Sequence, residues 1–225
     1  MGRILTALNR FNAAHPWSHN DAYAWFVLRH ARAVRRAGGR TAVDVGCGTG
    51  NLAARLAGIL PEVIGIEPDL ATARVAARRF AASDRVCIEQ RRFGDEPYGS
   101  YDLIVFVASL HHMPLRATLA QARAALRPGG RILIVGVASE ASADALRSLV
   151  SLAVNPIVGL LRHPHPATAP PASMRAPTAE PLETFDEIHA VAAGELPGIR
   201  MRRRLFWRYT AYWTAPLRGE VHHAE

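Results

Sequence analysis

The chain contains no lysine, so all 27 of its Lys+Arg residues are arginine. That absence excludes any mechanism built on a Schiff-base lysine and the phosphate-binding loop G-x-x-x-x-G-K-[ST]. Cysteine is nearly as scarce: Cys47 and Cys87 are too few for a disulfide framework and form no C-x-x-C pair. A reducing, cytoplasmic setting is the expectation. Long hydrophobic runs are missing as well, and no stretch reaches the roughly 18 apolar residues of a membrane span. The first residues, Met1-Gly2-Arg3-Ile4-Leu5, lack the apolar core and small-residue cleavage site of a signal peptide. The nearest approach to a span, Leu149 to Leu161, is interrupted by Asn155 and Pro156. It reads as a buried or substrate-facing helix rather than a membrane-surface one, and no stable membrane insertion is expected. Acids are outnumbered, 19 against 27 arginines, for a formal charge of +8. Such a surplus raises nucleic acid as a partner to be tested against the motifs.

What is present suffices for a folded domain. At 49% hydrophobic and 20% charged, 225 residues can bury a sizeable core. From Tyr23 to Arg36 mostly apolar positions recur at helical spacing (Tyr23, Phe26, Val27, His30, Val34), with Arg29, Arg32, Arg35 and Arg36 opposite. An alternation follows. Thr41 to Val45, Val63 to Ile66, Arg85 to Ile88, Leu103 to Val107 and Arg131 to Val137 read as strands. Between them, Leu52 to Leu60, Leu70 to Ala82 and Leu115 to Leu126 read as helices, the last stopped by Pro128-Gly129-Gly130. Near-continuous apolar strands separated by helices mean a mostly parallel, doubly wound α/β sheet. After residue 140 a helix from Ala141 to about Leu161 leads into His163 to Pro181, which holds six of the fifteen prolines. A stretch of that kind is a lid, binding loop or linker. A helix from Glu183 to Ala193 and a β-rich segment from Ile199 to Trp213 close the chain.

The densest chemical signal is Val43-Asp44-Val45-Gly46-Cys47-Gly48-Thr49-Gly50-Asn51, a strand entering a glycine turn that opens a helix. The glycines permit close approach of a bulky ligand, and the helix start supplies free N–H donors. Glu67 stands at the end of the next strand, where an acid can accept from both hydroxyls of a ribose. Gly48 to Ala53 also satisfies the dinucleotide fingerprint G-x-G-x-x-A. Asp44 separates the two cofactors: a carboxylate there disfavours a pyrophosphate and suits an ammonium and a sulfonium. Electrostatics prefers S-adenosylmethionine over NAD.

Val43 to Asn51 resembles motif I of the class I S-adenosylmethionine-dependent methyltransferases. Val63 to Asp69 resembles the acidic-strand motif that follows it. Tyr101 to Met113 is similar to the fourth-strand motif of the small-molecule branch, and Leu126 to Val135 to the lead-in of the fifth strand. The resemblance implies seven strands, the last two an antiparallel hairpin, which Ile199 to Trp213 fits. It also implies an N-terminal helical lid (1–38), a cofactor-binding core (39–140), substrate-side helices with a Pro-rich loop (141–194) and the hairpin (195–225), all in one domain. Gly46, Gly48 and Gly50 would lie against the cofactor, Asp44 would hold its ammonium and Glu67 its ribose. Pro68 or Asp69 would flank the adenine, and Val107 and Ala108 would touch the methionine portion. An acid after the third strand often accepts from the adenine amino group in this family. Here Gln90-Arg91-Arg92-Phe93-Gly94-Asp95 occupies the region, so Asp95, Gln90 or a stacking Phe93 could serve.

Methyl transfer from a sulfonium is an in-line displacement, in which protein groups position the partners and exclude water. Where the nucleophile carries a proton, a histidine base helps. His111 and His112 follow the fourth strand, at the edge where open α/β sheets bind ligands, though both could instead be structural at the turn before Met113-Pro114. His19 lies in a second cluster, His15 to Tyr23, whose Trp17, Asn20 and Tyr23 could line an acceptor pocket; Ser18, Asn20 and Asp21 could equally cap a helix. No H-E-x-x-H pattern occurs and Pro16 interrupts His15 and His19, so no metal is expected. Arg202 to Trp213 mixes arginines with aromatics, and reads as a hairpin with one buried aromatic face and one solvated arginine face rather than a base-stacking platform.

The leading expectation is a small-molecule methyltransferase, monomer or homodimer, using S-adenosylmethionine and releasing S-adenosylhomocysteine. The alternatives are an RNA or DNA methyltransferase and a catalytically silent S-adenosylmethionine-binding module. Val107-Ala108-Ser109-Leu110 lacks the Pro-Pro-aromatic element that sandwiches a flipped base, which argues against nucleic acid. Many arginines fall on helix faces expected to be solvated (Arg29, Arg32, Arg35, Arg36, Arg74, Arg78, Arg79). The net charge then favours anionic acceptors at most.

Overall fold

The computed structural model describes residues 6, 11, 12, 14, 15, 17, 19–139, 145–162, 164, 165 and 181–217. Strands β1 (Thr41–Val45), β2 (Glu62–Ile66), β3 (Val86–Glu89), β4 (Tyr101–Val107), β5 (Leu126–Val137), β6 (Arg200–Arg203) and β7 (Arg208–Thr214) form one sheet. Their order is β3-β2-β1-β4-β5-β7-β6. The first five are parallel, and β7 runs antiparallel to both β5 and β6. The helices are α1 (Ala24–Arg36), α2 (Asn51–Ala57), α3 (Leu70–Arg79), α4 (Leu115–Ala125), α5 (Ala145–Arg162) and α6 (Phe185–Glu195).

Alternation along the strands builds two cores. Val43, Val45, Ile104, Phe106, Ile132 and Ile134 join Leu119 of α4 and Ile188 of α6 on one face. Ala42, Leu103, Val105, Leu133 and Val135 join Val27 and Val34 of α1 and Leu56 of α2 on the other. Helices on both faces of a mostly parallel sheet make it doubly wound, as expected. Strand order reverses between β1 and β4, and ligands bind at the carboxyl edge beside such a point.

Two expectations need correction. Strand β5 begins at Leu126, not Arg131, and takes in Pro128-Gly129-Gly130. The residues are accommodated as an irregularity: Tyr101 pairs with Leu126, but Leu103 already pairs with Arg131. Gly129 at φ +76 and the bonds Gly129 N to Ala215 O and Ala215 N to Gly130 O keep the bulged backbone in the sheet region. Of the two readings of Leu149 to Leu161, a buried or a substrate-facing helix, burial of its apolar residues is the one corrected in helix α5. Leu149, Ile157, Leu160 and Leu161 are exposed, Leu161 by 77%. Ser151, Asn155 and Gly159, four residues apart, face inward instead. The polar face turns in because it finds partners there: Phe206 N donates to Ser151 Oγ (2.8 Å) and Trp17 Nε1 to Asn155 Oδ1 (2.9 Å). The expected start of this helix at Ala141, most of the Pro-rich stretch and the terminal His222-His223 lie outside the described residues. Among the described residues no helix is long and apolar enough to cross a membrane.

Candidate functional site

The glycine loop follows β1 at the carboxyl edge. Gly46 N and Cys47 N both donate to Ile66 O, at 2.8 and 3.0 Å, tying the turn to the end of β2. Gly46 has φ +72, and a Cβ there would stand 2.6 Å from Ser109 Cβ, so the turn and the start of the loop after β4 touch directly. Gly48 has φ +55 and open space where a side chain would be. Its backbone therefore presents a bare surface to a ligand. Arg79, exposed as expected, also donates to Thr49 O (3.2 Å) and Asn51 Oδ1 (2.6 Å) and clamps α3 to the loop.

Asp44 points from β1 toward the start of α2 and is 2% exposed. The Ala53 amide donates to its carboxylate, while Oδ2 has no hydrogen-bond partner among the described residues. Burial, reinforced by the nearby Glu67 charge and opposed by the Ala53 amide, pushes this carboxyl up to about 7. Glu67, also buried, accepts from Gly48 N through Oε2 (2.9 Å) and from Asp69 N through Oε1 (3.0 Å). Asp69 in turn caps α3, accepting from Thr72 N (2.8 Å). Two carboxylates thus flank one bare stretch of backbone. Burial pushes the Cys47 thiol up, so it is no nucleophile at neutral pH.

The residues expected around an adenine divide. The Pro68 carbonyl accepts from Gln90 Nε2 (3.2 Å), so Gln90 is engaged. Asp95 is exposed, with φ +53. The buried acid of this loop is its neighbour Glu96, locked by Arg91 and by the Tyr101 hydroxyl (2.6 Å). Phe93 packs edge-on against Phe106 at 5.5 Å. Val107 ends β4, and Ala108, at φ +51, donates to Val135 O (2.8 Å). Ser109 is buried against Gly46 with its Oγ unpaired among the described residues.

The candidate bases fall into two groups. His111 and His112 share a short 3-10 turn beyond Ser109, their rings 4.0 Å apart, with His112 exposed. His19 lies elsewhere on the same edge, over the β6–β7 turn. It stacks on Phe206 (5.4 Å, 20°), and its Nε2 is 2.9 Å from Asn155 Oδ1. Because that oxygen only accepts, Nε2 carries the proton and Nδ1 is the basic nitrogen. Burial holds His19 below the usual histidine range, so the ring is neutral near pH 7. Trp17 and Tyr23 are buried and already committed, Trp17 to Asn155 and the Tyr23 hydroxyl to Leu205 O (2.8 Å). Asn20 Oδ1 accepts from Arg208 Nε at 3.0 Å.

Sequence reasoning missed Asn155, the shared acceptor of Trp17 and His19; its only signal was a polar residue interrupting an apolar run. It also placed the hairpin arginines on a solvated face, and this is corrected. Arg200 and Arg202 are exposed, but Arg203, Arg204 and Arg208 turn into a cavity at the carboxyl edge. The β6–β7 turn explains it: Phe206 and Trp207 both have positive φ (58 and 55), which reverses the chain and swings Arg208 inward. Among the described residues no cluster of three or more His, Cys, Asp or Glu could hold a metal ion.

Comparison with known proteins fits this geometry. Residues 43–132 match the family model of a methyltransferase domain. An uncharacterized methyltransferase of Mycobacterium tuberculosis is 30% identical over 208 residues, covering 90% of this chain and 98% of the relative. The 27-O-demethylrifamycin SV methyltransferase of Amycolatopsis mediterranei is 38% identical over 106 residues, 44% of this chain and 39% of that protein. In fold, the chain is similar to magnesium protoporphyrin IX methyltransferase from Synechocystis, solved with bound S-adenosylmethionine. The TM-score is 0.55 at 14% identity, over 88% of this chain and 79% of that one. The chain is an enzyme of the class I S-adenosylmethionine-dependent methyltransferase family.

Proposed function

We propose that the protein transfers a methyl group from S-adenosylmethionine to the oxygen, nitrogen or carbon of a small-molecule acceptor, with S-adenosylhomocysteine as co-product. The observation that carries this proposal is the Asp44 carboxylate, buried with one oxygen unpartnered beside a glycine loop whose central residue faces open space. A buried, half-satisfied carboxylate is costly unless a cation completes it, and the cofactor's ammonium is such a cation. When bound, S-adenosylmethionine supplies an electrophilic methyl on a sulfonium.

The chain's own residues do the rest. Asp44 accepts from the ammonium. Glu67 turns from the Gly48 amide to the ribose hydroxyls. Gly48 bares its backbone to the ligand, Gly46 and Gly50 shape the loop around it by packing closely on Ser109 and Phe80, Pro68 flanks the adenine, and exposed Asp95 is the acid of its loop free to reach the amino group. Val107 and Ala108 lie along the methionine portion. His19, with a basic Nδ1, accepts the acceptor's proton, while His111 and His112 border the site beside Ser109. Trp17, Asn20 and Tyr23 shape the acceptor wall through their fixed partners. The rifamycin-directed relative supports a small-molecule acceptor.

Calorimetric titration with S-adenosylhomocysteine tests the assignment. Glu67→Ala removes two charge-assisted bonds and should weaken binding by about 1.5–3 kcal/mol. Unchanged affinity would refute the ribose role.

A further inference from the structure

At the carboxyl edge, beyond the end of β5, the β6–β7 turn and the first turns of α5 enclose a cavity of about 380 Å³, counting its open mouth. Arg147, Arg203, Arg204 and Arg208 line it, with no carboxylate among its described lining residues. Arg203 is neutralised by Asp186 at 2.8 Å. Arg204 and Arg208 are not paired with an acid among the described residues. Each is instead anchored by its Nε to a neutral acceptor, Arg204 to Thr210 Oγ1 (2.9 Å) and Arg208 to Asn20 Oδ1 (3.0 Å). The terminal nitrogens of Arg204 have no partner among the described residues, and Nη1 of Arg208 reaches the Phe206 and Trp207 carbonyls only at 3.5 Å.

A guanidinium withdrawn from water without a counter-charge is costly, and burial lowers the Arg208 pKa accordingly. The turn that holds the pair adds strain, since two consecutive non-glycine residues with positive φ cost about 1–2 kcal/mol each. Ser151 Oγ pins that turn by accepting from Phe206 N. Anchoring each side chain through Nε leaves both terminal nitrogens of Arg204, and Nη2 of Arg208 with its long-bonded Nη1, to meet a planar or tetrahedral oxyanion.

We propose that this cavity binds a carboxylate or phosphate group of the methyl acceptor, held by the terminal nitrogens of Arg204 and Arg208. This inference rests on the methyl-transfer function proposed above. Arg208 pairs with Val137 of β5, and Val107 of β4 with Val135, so the cavity stands two strands from the end of β4. Two strands at about 4.8 Å each and the two-residue offset along β5 at about 3.3 Å per residue put the two backbones about 12 Å apart. The acceptor is therefore an organic acid or phosphate ester whose nucleophile lies about that far from its anionic group. His19, 5.8 Å from Trp207, borders the same space.

Thermal-shift titrations with inorganic phosphate and with benzoate, at ionic strength held constant with sodium chloride, test the site without any acceptor in hand. Wild type should show a saturable rise in Tm with at least one probe; the stronger one identifies the class of anion. Arg208→Gln and Arg204→Gln should each weaken the apparent affinity at least tenfold, whereas Arg202→Gln, at an exposed position, should retain it. Melting without anion checks that each variant folds, and two variants cover the failure of either. The absence of saturation with both probes, or equal responses in all variants, would overturn the proposal. So would steeply salt-dependent binding of a single-stranded RNA that outcompetes both anions. Titration of the same wild-type protein with S-adenosylhomocysteine reads the cofactor site separately, so a missing anion site and a missing cofactor site give different results.

Discussion

Replacing Asp44 by asparagine should stabilise the ligand-free protein above neutral pH and weaken cofactor binding in the same step. The Asp44 carboxyl titrates at about 7 in the folded protein against 3.8 unfolded. With the folded value raised, the contribution to stability is fully present below 3.8 and is lost as pH rises through 7. At 1.36 kcal/mol per pH unit, the buried charge costs about 4 kcal/mol by pH 8.5. Asparagine keeps an acceptor for the Ala53 amide and carries no charge. Its own amide hydrogens meet the same empty surroundings as Oδ2, which costs about 1–3 kcal/mol. The net gain is about 2 kcal/mol, or about 5 °C in Tm for a domain of this size. At pH 5.5 the folded carboxyl is protonated while the unfolded one is still ionised, so the cost falls to about 2 kcal/mol, the unsatisfied amide hydrogens offset it, and the gain should vanish. Scanning calorimetry at the two pH values reads both effects. Saturating S-adenosylhomocysteine should then reverse the ranking, because only wild type offers its ammonium a counter-charge. Between pH 5.5 and 7 wild-type affinity should rise toward about tenfold per pH unit, and that of Asp44→Asn should stay flat. If the variant melts equally far below wild type at both pH values, the carboxylate carries no buried-charge cost and the reasoning fails.

Three further outcomes are expected. Gly46→Ala combines positive φ with a contact to Ser109 Cβ at 2.6 Å and should cost at least 2 kcal/mol in denaturant unfolding, about twice Gly48→Ala, which meets open space. Gly48→Ala should instead show its larger defect in calorimetric cofactor binding, and equal unfolding costs for the two would contradict the geometry. His30 is held at about 4 by burial and by Arg131, whose Nη1 lies 3.1 Å from its Nδ1, so its stabilisation is present above 6.5 and lost as pH falls toward 4. Allowing for solvent screening, His30→Gln should remove about 2 kcal/mol of the stability difference between pH 7 and pH 4.5, measured by urea titration. His19→Ala should lower kcat by about 10²–10⁴-fold and flatten its pH profile, and retention of both would exclude His19 as the base.

The sheet was legible because its strands are short apolar runs whose burial on both faces leaves little choice of structure. The glycine loop was legible as a turn between β1 and α2 because its geometry is local: Gly46 N and Cys47 N bond the end of β2, and Glu67 accepts from Gly48 N. The acceptor side obeys different physics. Asn155 meets Trp17 and His19 across more than 130 residues, and no local pattern records that meeting. The hairpin arginines were misread for a related reason. Strand alternation places Arg204, Phe206 and Arg208 on one face, but the positive φ of Phe206 and Trp207 interrupts the alternation between them. No glycine marks that reversal in the sequence. It is sustained from outside by Ser151 and Asn20, residues of elements far away in the chain. What a turn held against its local preference changes is the direction of the side chains that follow it. Here the product is a pair of guanidiniums turned inward with their forks unoccupied by any acid among the described residues. The anomaly that defeated the sequence pattern is thus the feature on which the proposed anion site rests.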